Sequence, residues 1–157
     1  MRLQDFFQNH FLVLSNINKS NIGDLKMKQI LLLSQCIMDY KNFISYLQKE
    51  YEVDGVGYMQ TTLYKLKKPK KYGLIIVEVS MPPRGVYTLQ ETSDGMRTGI
   101  VFYERALKHL NIPVIFWSWG DELSGEIAKL DGNVIFVKRE IDYDHLRLAV
   151  EKFVGKL

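Results

Sequence analysis

The chain has one cysteine in 157 residues, Cys36, so no internal disulfide can form, which agrees with a reducing compartment. No histidine lies close in sequence to activate that thiol, and Cys36 reads as a small apolar core residue near the first strand. Long apolar runs are missing too: residues 74–77 and 114–117 are only strand length, far below the roughly 20 residues that a membrane-spanning helix needs. The first ten residues are interrupted by Asp5, Gln8 and Asn9 and do not read as a secretory leader. Charge of one sign is also scarce. The net charge of +3 is too small to imply a polyanion partner. Lys65, Lys67, Lys68, Lys70 and Lys71 cluster around Pro69, but no aromatic interleaving or nucleic-acid motif accompanies them, so they read as a solvated helix end and turn. These absences predict a cytoplasmic protein with no membrane and no nucleic-acid partner.

What is present is a globular composition, 46% hydrophobic and 25% charged, with a regular alternation of two periods. Apolar runs at residues 30–33, 53–58, 74–79, 114–117 and 134–137 predict five strands. Between and after them lie helical stripes. Tyr40, Phe43, Ile44, Leu47 and Tyr51 form the first, with Asp39 as its N-cap, and a short helix over 60–67 stops at Pro69. Met96, Ile100, Tyr103, Leu107 and Leu110 predict a helix over 96–110 that stops at Asn111, before Pro113. Leu123, Ile127 and Leu130 mark a short fourth helix ending at Asp131-Gly132, and Tyr143, Leu146, Val150 and Phe153 mark the last. Strands alternating with helices imply a doubly wound parallel α/β sheet, and right-handed crossovers make the flavodoxin-like order 2-1-3-4-5 the most economical winding.

Two segments exceed that minimum. Residues 83–95 form a connection longer than the usual 2 to 6 residues or so of a βα loop. Residues 1–25 form an extension in which Leu3, Phe6, Phe7, Phe11 and Leu14 predict a helix, followed by a polar linker over 15–23. That apolar stripe must dock on its own domain, which spans 26–157, or on a second copy.

The run LIIVEVSMPP at residues 74–83, together with ILLLSQ (30–35), VIFWS (114–118) and VIFVK (134–138), resembles the strands of bacterial response-regulator receiver domains. The resemblance covers roughly residue 26 onward. It implies a CheY-like fold in which Glu78 stands where the family carries its phosphoacceptor aspartate. Ser34 and Gln35 stand at the acidic pair that holds magnesium, and Ser118 and Lys138 at the Ser/Thr and the lysine. Ile135 replaces the switch aromatic, and Arg139 the proline after the lysine.

Magnesium prefers oxygen ligands and typically takes one or two carboxylates, so Ser34 and Gln35, which bring no charge, predict no tight metal binding. Glu78 carries its carboxylate one methylene further out than aspartate, and displacing a nucleophile costs on the order of 100-fold in rate. The prediction is therefore a strand-end acid paired with Lys138, hydrogen-bonded by Ser118, and no cofactor. Trp117 and Trp119 are expected on opposite sides of the strand end, one in the core and one at the mouth of the site. By the resemblance, Leu123, Ile127, Ile135, Tyr143 and Arg147 mark the surface where such domains meet targets or a second copy.

The leading expectation is a degenerate receiver-like domain, not an enzyme, that signals by binding another protein or itself without phosphoryl transfer. One alternative is a phosphorylatable regulator with a displaced acidic site, for which Asp121 is the acid to watch. Another is a small flavodoxin-like enzyme or ligand-binding domain with residues 83–95 as a lid. No paired catalytic acids, Cys/His couple or phosphate-cradling loop supports the last. Asp142, Asp144 and His145 read as an acidic helix start, His10 and His109 stand alone, and Gly55-Val56-Gly57 lacks a dinucleotide fingerprint's third glycine.

Overall fold

The computed structural model describes residues 29–35, 41–68, 71–139 and 143–155. The expected extension over 1–25, Cys36, the Asp39 cap and Asp142 lie outside the described residues. Five strands, β1 (Gln29–Leu33), β2 (Val53–Val56), β3 (Tyr72–Glu78), β4 (Val114–Ser118) and β5 (Val134–Lys138), form one sheet. Its order is β2-β1-β3-β4-β5 and every pairing is parallel, as the alternation predicts.

The α-helices are α1 (Lys41–Leu47), α2 (Met59–Lys65), α3 (Thr98–Phe102), α4 (Ser124–Ile127) and α5 (Asp144–Val154). Helices α1 and α5 cover one face, where Phe43, Leu47, Leu146 and Val150 pack on Ile30, Ile76, Ile115 and Trp117. Helices α2, α3 and α4 cover the other, where Met59, Ile100, Phe102 and Ile127 pack on Leu31, Leu33, Ile75 and Phe116. Covering both faces explains the unbroken apolar runs: Ile30, Leu31, Leu32 and Leu33, and Leu74, Ile75, Ile76 and Val77, are all fully buried whichever way they point.

The third helix departs from expectation. It starts at Thr98 rather than Met96, because Ser93, Asp94 and Gly95 have φ of 50°, 55° and 90°, outside the right-handed region. Met96 accordingly falls outside the apolar stripe and is 54% exposed. After Phe102 the helix widens into a π turn, Tyr103–Leu107, and tightens into a 3₁₀ turn, Lys108–Leu110. It stops at Asn111 in the left-handed conformation, the residue expected to end it. The Tyr103 hydroxyl donates to the Asp131 carbonyl at 2.5 Å, tying this segment to the turn before β5.

Residues 82–97 fold into a compact loop. The Thr88 amide and hydroxyl donate to Glu91 Oε2 at 2.8 and 2.9 Å, and the Glu91 amide donates back to Thr88 Oγ1 at 3.1 Å, a reciprocal capping box. Buried Thr92 donates to the Thr88 carbonyl and accepts from the Gly95 amide. Arg105 on the π turn bonds Glu91 at 2.7 Å and lies over the Tyr87 ring, pinning the loop to the third helix.

Candidate functional site

The carboxyl ends of the parallel strands form the edge where α/β sheets place their chemistry. β1 and β3 run in register, Leu33 beside Val77, so Ser34, the residue after β1, comes level with Glu78. Ser34 is fully buried, and its hydroxyl donates to Glu78 Oε2 at 2.8 Å. The Gln35 amide donates to the same oxygen at 3.2 Å. The Gln35 side chain turns away, its Nε2 donating to the Pro82 carbonyl at 2.8 Å. Ser34 and Gln35 thus hold the Glu78 carboxylate and the start of the 82–97 loop.

Helix α3 closes in from the other side. The Gly99 amide donates to the Val79 carbonyl at 2.9 Å, and a Cβ on Gly99 would stand 2.4 Å from the Glu78 carbonyl oxygen. Only glycine permits that approach. Buried Thr98 adds a hydroxyl bond to the Met81 carbonyl.

The expected Glu78–Lys138 pair does not form. Lys138 points to Asp121, with Nζ 3.9 Å from Oδ2, and its side chain is 51% exposed. β5 is the strand beyond β4, so an exposed lysine at its end reaches the loop after β4 more readily than the far side of β3. Ser118 does not donate to Glu78 either; its carbonyl accepts from the Arg139 amide at 2.6 Å, extending the β4–β5 ladder. The structure therefore brings Ser34, Gln35 and Glu78 together and leaves Ser118 and Lys138 as a separate pair of strand ends.

Trp117 is 2% exposed and packs on Phe43 at 4.7 Å between centroids, while Trp119 is 59% exposed. The division into core and rim is as expected, but not the opposite sides. The Arg139 guanidinium lies 3.8 Å from the Trp119 ring centroid and 5.1 Å from that of Trp117, so one cation touches both rings. A two-residue step along a strand returns to the same face. Sequence reasoning noted Arg139 only as a missing proline; a cation two residues beyond the register partner of Trp117 was the available signal.

Of the expected contact residues, Ile127 is 1% exposed and belongs to the core, because α4 is a single turn that must bury its one large apolar side chain. Leu123 and Ile135 are half-buried. The Tyr143 ring packs 4.9 Å from Phe43, and Arg147 pairs with Glu151 and, at 3.8 Å, with Asp144. Leu148, next to Arg147 on α5, is 52% exposed.

Away from this edge, Asp54 on β2 accepts from Tyr72 at 2.6 Å, Lys65 at 3.0 Å and Lys71 at 3.3 Å. Burial alone would raise its pKa; the hydrogen bonds from Tyr72, Lys65 and Lys71 outweigh that and hold it below the ordinary carboxylate value. Tyr72 is correspondingly raised, by burial first and by the Asp54 charge.

Magnesium is the ion that the receiver resemblance implies at the strand ends. There the ends of β1 and β3 supply one carboxylate, Glu78, whose Oε2 already accepts two hydrogen bonds. Among the described residues no three His, Cys, Asp or Glu side chains gather into a metal-binding group. This donor set does not fit a hard cation that must be stripped of water.

No protein-family model and no curated protein matches the sequence. Solved structures do. A response regulator from Thermotoga maritima, in complex with magnesium and beryllium fluoride, is similar at 20% identity and a TM-score of 0.62, over 81% of this chain and 99% of that one. The signal receiver domain of a LuxO-type repressor protein from Vibrio parahaemolyticus is similar at 16% identity and a TM-score of 0.61, over 82% and 90%. A Rhodopirellula baltica structure described as an adenylate cyclase aligns at 18% identity and a TM-score of 0.62, over 82% and 87%. At such identities the likeness establishes the fold: a CheY-like, flavodoxin-type sheet of five parallel strands. Among the described residues no helix is long and apolar enough to cross a membrane.

Proposed function

We propose that this chain is a degenerate receiver domain, cytoplasmic and not an enzyme, that acts in signal transduction by binding another protein or a second copy of itself without phosphoryl transfer. One observation carries the reading: the Glu78 carboxylate, at the position of the phosphoacceptor, is held by the Ser34 hydroxyl and the Gln35 amide, where a working receiver needs two acids and a metal. A carboxylate so held presents a fixed negative charge at the strand edge. The bonds that fix it join the ends of β1 and β3, and the Gln35 side chain adds a separate bond to the 82–97 loop, which together favour one conformation over switching. The half-buried and exposed residues Leu123, Ile135, Tyr143, Arg147 and Leu148 supply a surface for such contacts, by resemblance to the family.

Intact-mass measurement after incubation with acetyl phosphate and magnesium tests the proposal. The expected result is an unchanged mass. An acid-labile phosphoryl adduct on Glu78 or on any aspartate, Asp121 included, would establish a phosphorylatable regulator instead.

A further inference from the structure

Helix α2 carries two stripes. Met59, Thr62 and Leu66 are buried on the sheet. On the solvent side, Gln60, Leu63, Tyr64 and Lys67 stand at helical spacings of three and four, and Leu63 is 40% and Tyr64 72% exposed. Tyr58, the N-cap, adds a ring that is 52% exposed. Three of the exposed large apolar side chains thus fall on one short element.

The surface around them is built and positively charged. Lys67 Nζ sits 5.4 Å from the Tyr64 ring centroid, and the Arg84 guanidinium 5.1 Å from that of Tyr58. Gln60 Nε2 donates to the Arg84 carbonyl at 3.5 Å, which joins the two cation–aromatic pairs into one strip. Between residues 55 and 77 the sequence has no Asp or Glu, while Lys65, Lys67, Lys68 and Lys71 all lie there. The acid that faces them, Asp54, is already shared by Lys65 and Lys71.

We infer that this strip, Tyr58, Leu63 and Tyr64 with Lys67, Lys68 and Arg84, is a docking surface for an acidic segment of a partner protein that carries apolar side chains among its carboxylates. Charge complementarity selects the acid, because the segment between residues 55 and 77 carries lysines and no carboxylate, and Arg84 adds a further cation. The arrangement selects protein over nucleic acid. An apolar centre of Leu63 and Tyr64 inside a cationic rim is the anatomy of a protein interface, whereas a single strand of nucleic acid asks for a continuous basic groove. Rings already braced by cations are presented with little ordering left to lose on binding.

The inference rests on reading the domain as a protein-binding module, and the test separates the two. The probe is a short synthetic peptide of glutamates interspersed with leucine and phenylalanine, titrated into the ¹⁵N-labelled full chain. Its counterparts are the same peptide with glutamine for glutamate, a thymidine oligonucleotide and anionic phospholipid vesicles. The expected result is saturable shifts at the amides of residues 58–68 and Arg84 with the acidic peptide alone. Tyr64→Ala, and the double change Lys67→Glu with Lys68→Glu, each weaken binding about tenfold, whereas Lys49→Glu, exposed after α1 on the other face of the sheet, leaves it unchanged. All these side chains are exposed, so the variants keep the fold, and the unperturbed amides of the sheet report it. Absence of shifts, equal binding of the glutamine peptide, or a preference for oligonucleotide or vesicle would overturn the inference. Repeating the titration on protein treated with acetyl phosphate keeps the outcomes apart: an adduct with peptide binding intact removes the phosphorylation-independent reading and spares this surface.

Discussion

Replacing Gly99 by alanine sets two effects of opposite sign against each other. Helix propensity alone favours alanine by about 0.8–1 kcal/mol. The new Cβ, however, would lie 2.4 Å from the Glu78 carbonyl oxygen, 3.0 Å from Val79 Cα and 3.1 Å from Val77 Cγ1. Two of those atoms are backbone of the strand that carries the site, so no side-chain rotation relieves the contact. Moving α3 outward would stretch the bond from the Gly99 amide to the Val79 carbonyl. Overpacking costs about 1–3 kcal/mol, and a weakened backbone bond adds about 1 kcal/mol, so the net expectation is a loss of about 1–3 kcal/mol. Gly125 in α4 is the control: nothing lies within 4 Å of the position a methyl group would take there, and alanine should gain about 0.5 kcal/mol. Urea unfolding at constant slope measures both, and about 1 kcal/mol corresponds to about 2–4 °C in Tm for a chain of this size. Should Gly99→Ala be as stable as the parent, the close approach of α3 to the site strand is wrong.

Further outcomes follow from the same contacts. Ser34→Ala removes a buried donor from Glu78 and should lower stability by about 1–2 kcal/mol, whereas Lys138→Met disturbs only an exposed pair and should cost under about 1 kcal/mol; a double-mutant cycle between Glu78 and Lys138 should give coupling near zero. Asp54 has a depressed folded pKa, so its contribution is present above the unfolded value of 3.8 and is lost as pH falls below it through the folded value; Asp54→Asn should lose this acid-sensitive part of the unfolding midpoint. Glu91 is held down to about 2 by the Thr88 amide and then by Arg105, against 4.5 ordinarily, so amide protection factors in residues 88–97, taken against the intrinsic rate at each pH, should be at their full value above pH 4.5 and fall as pH drops towards 2. With Trp117 buried and Trp119 exposed, acrylamide should quench two emitting populations, and Trp119→Phe should leave one blue-shifted, protected emission.

The sheet was legible because β1, β3 and β4 are buried on both faces and read as unbroken apolar runs, and turn residues such as Asn111 and Gly132 mark the ends between them. The third helix was misread by its start, since spacing cannot register that Ser93, Asp94 and Gly95 adopt positive φ. At the site, the resemblance located Ser34, Gln35 and Glu78 on neighbouring strands, and register brings them together. Pairing was the part that sequence could not give. Charge favoured Glu78 with Lys138, but Lys138 reaches Asp121, and Glu78 takes the closer donors at the end of β1. The outer stripe of α2 was visible as Gln60, Leu63, Tyr64 and Lys67, yet only burial of Met59, Thr62 and Leu66 shows which stripe faces water.

On the proposed reading, Glu78, Ser34 and Gln35 do not assemble a metal-dependent phosphoryl site. Fluorine NMR of the full chain with beryllium, fluoride and magnesium tests it most directly. The account predicts only the signals of free fluoroberyllate species, with the Glu78 amide unshifted by magnesium. A bound trifluoroberyllate signal that requires magnesium and disappears in Glu78→Gln would contradict it.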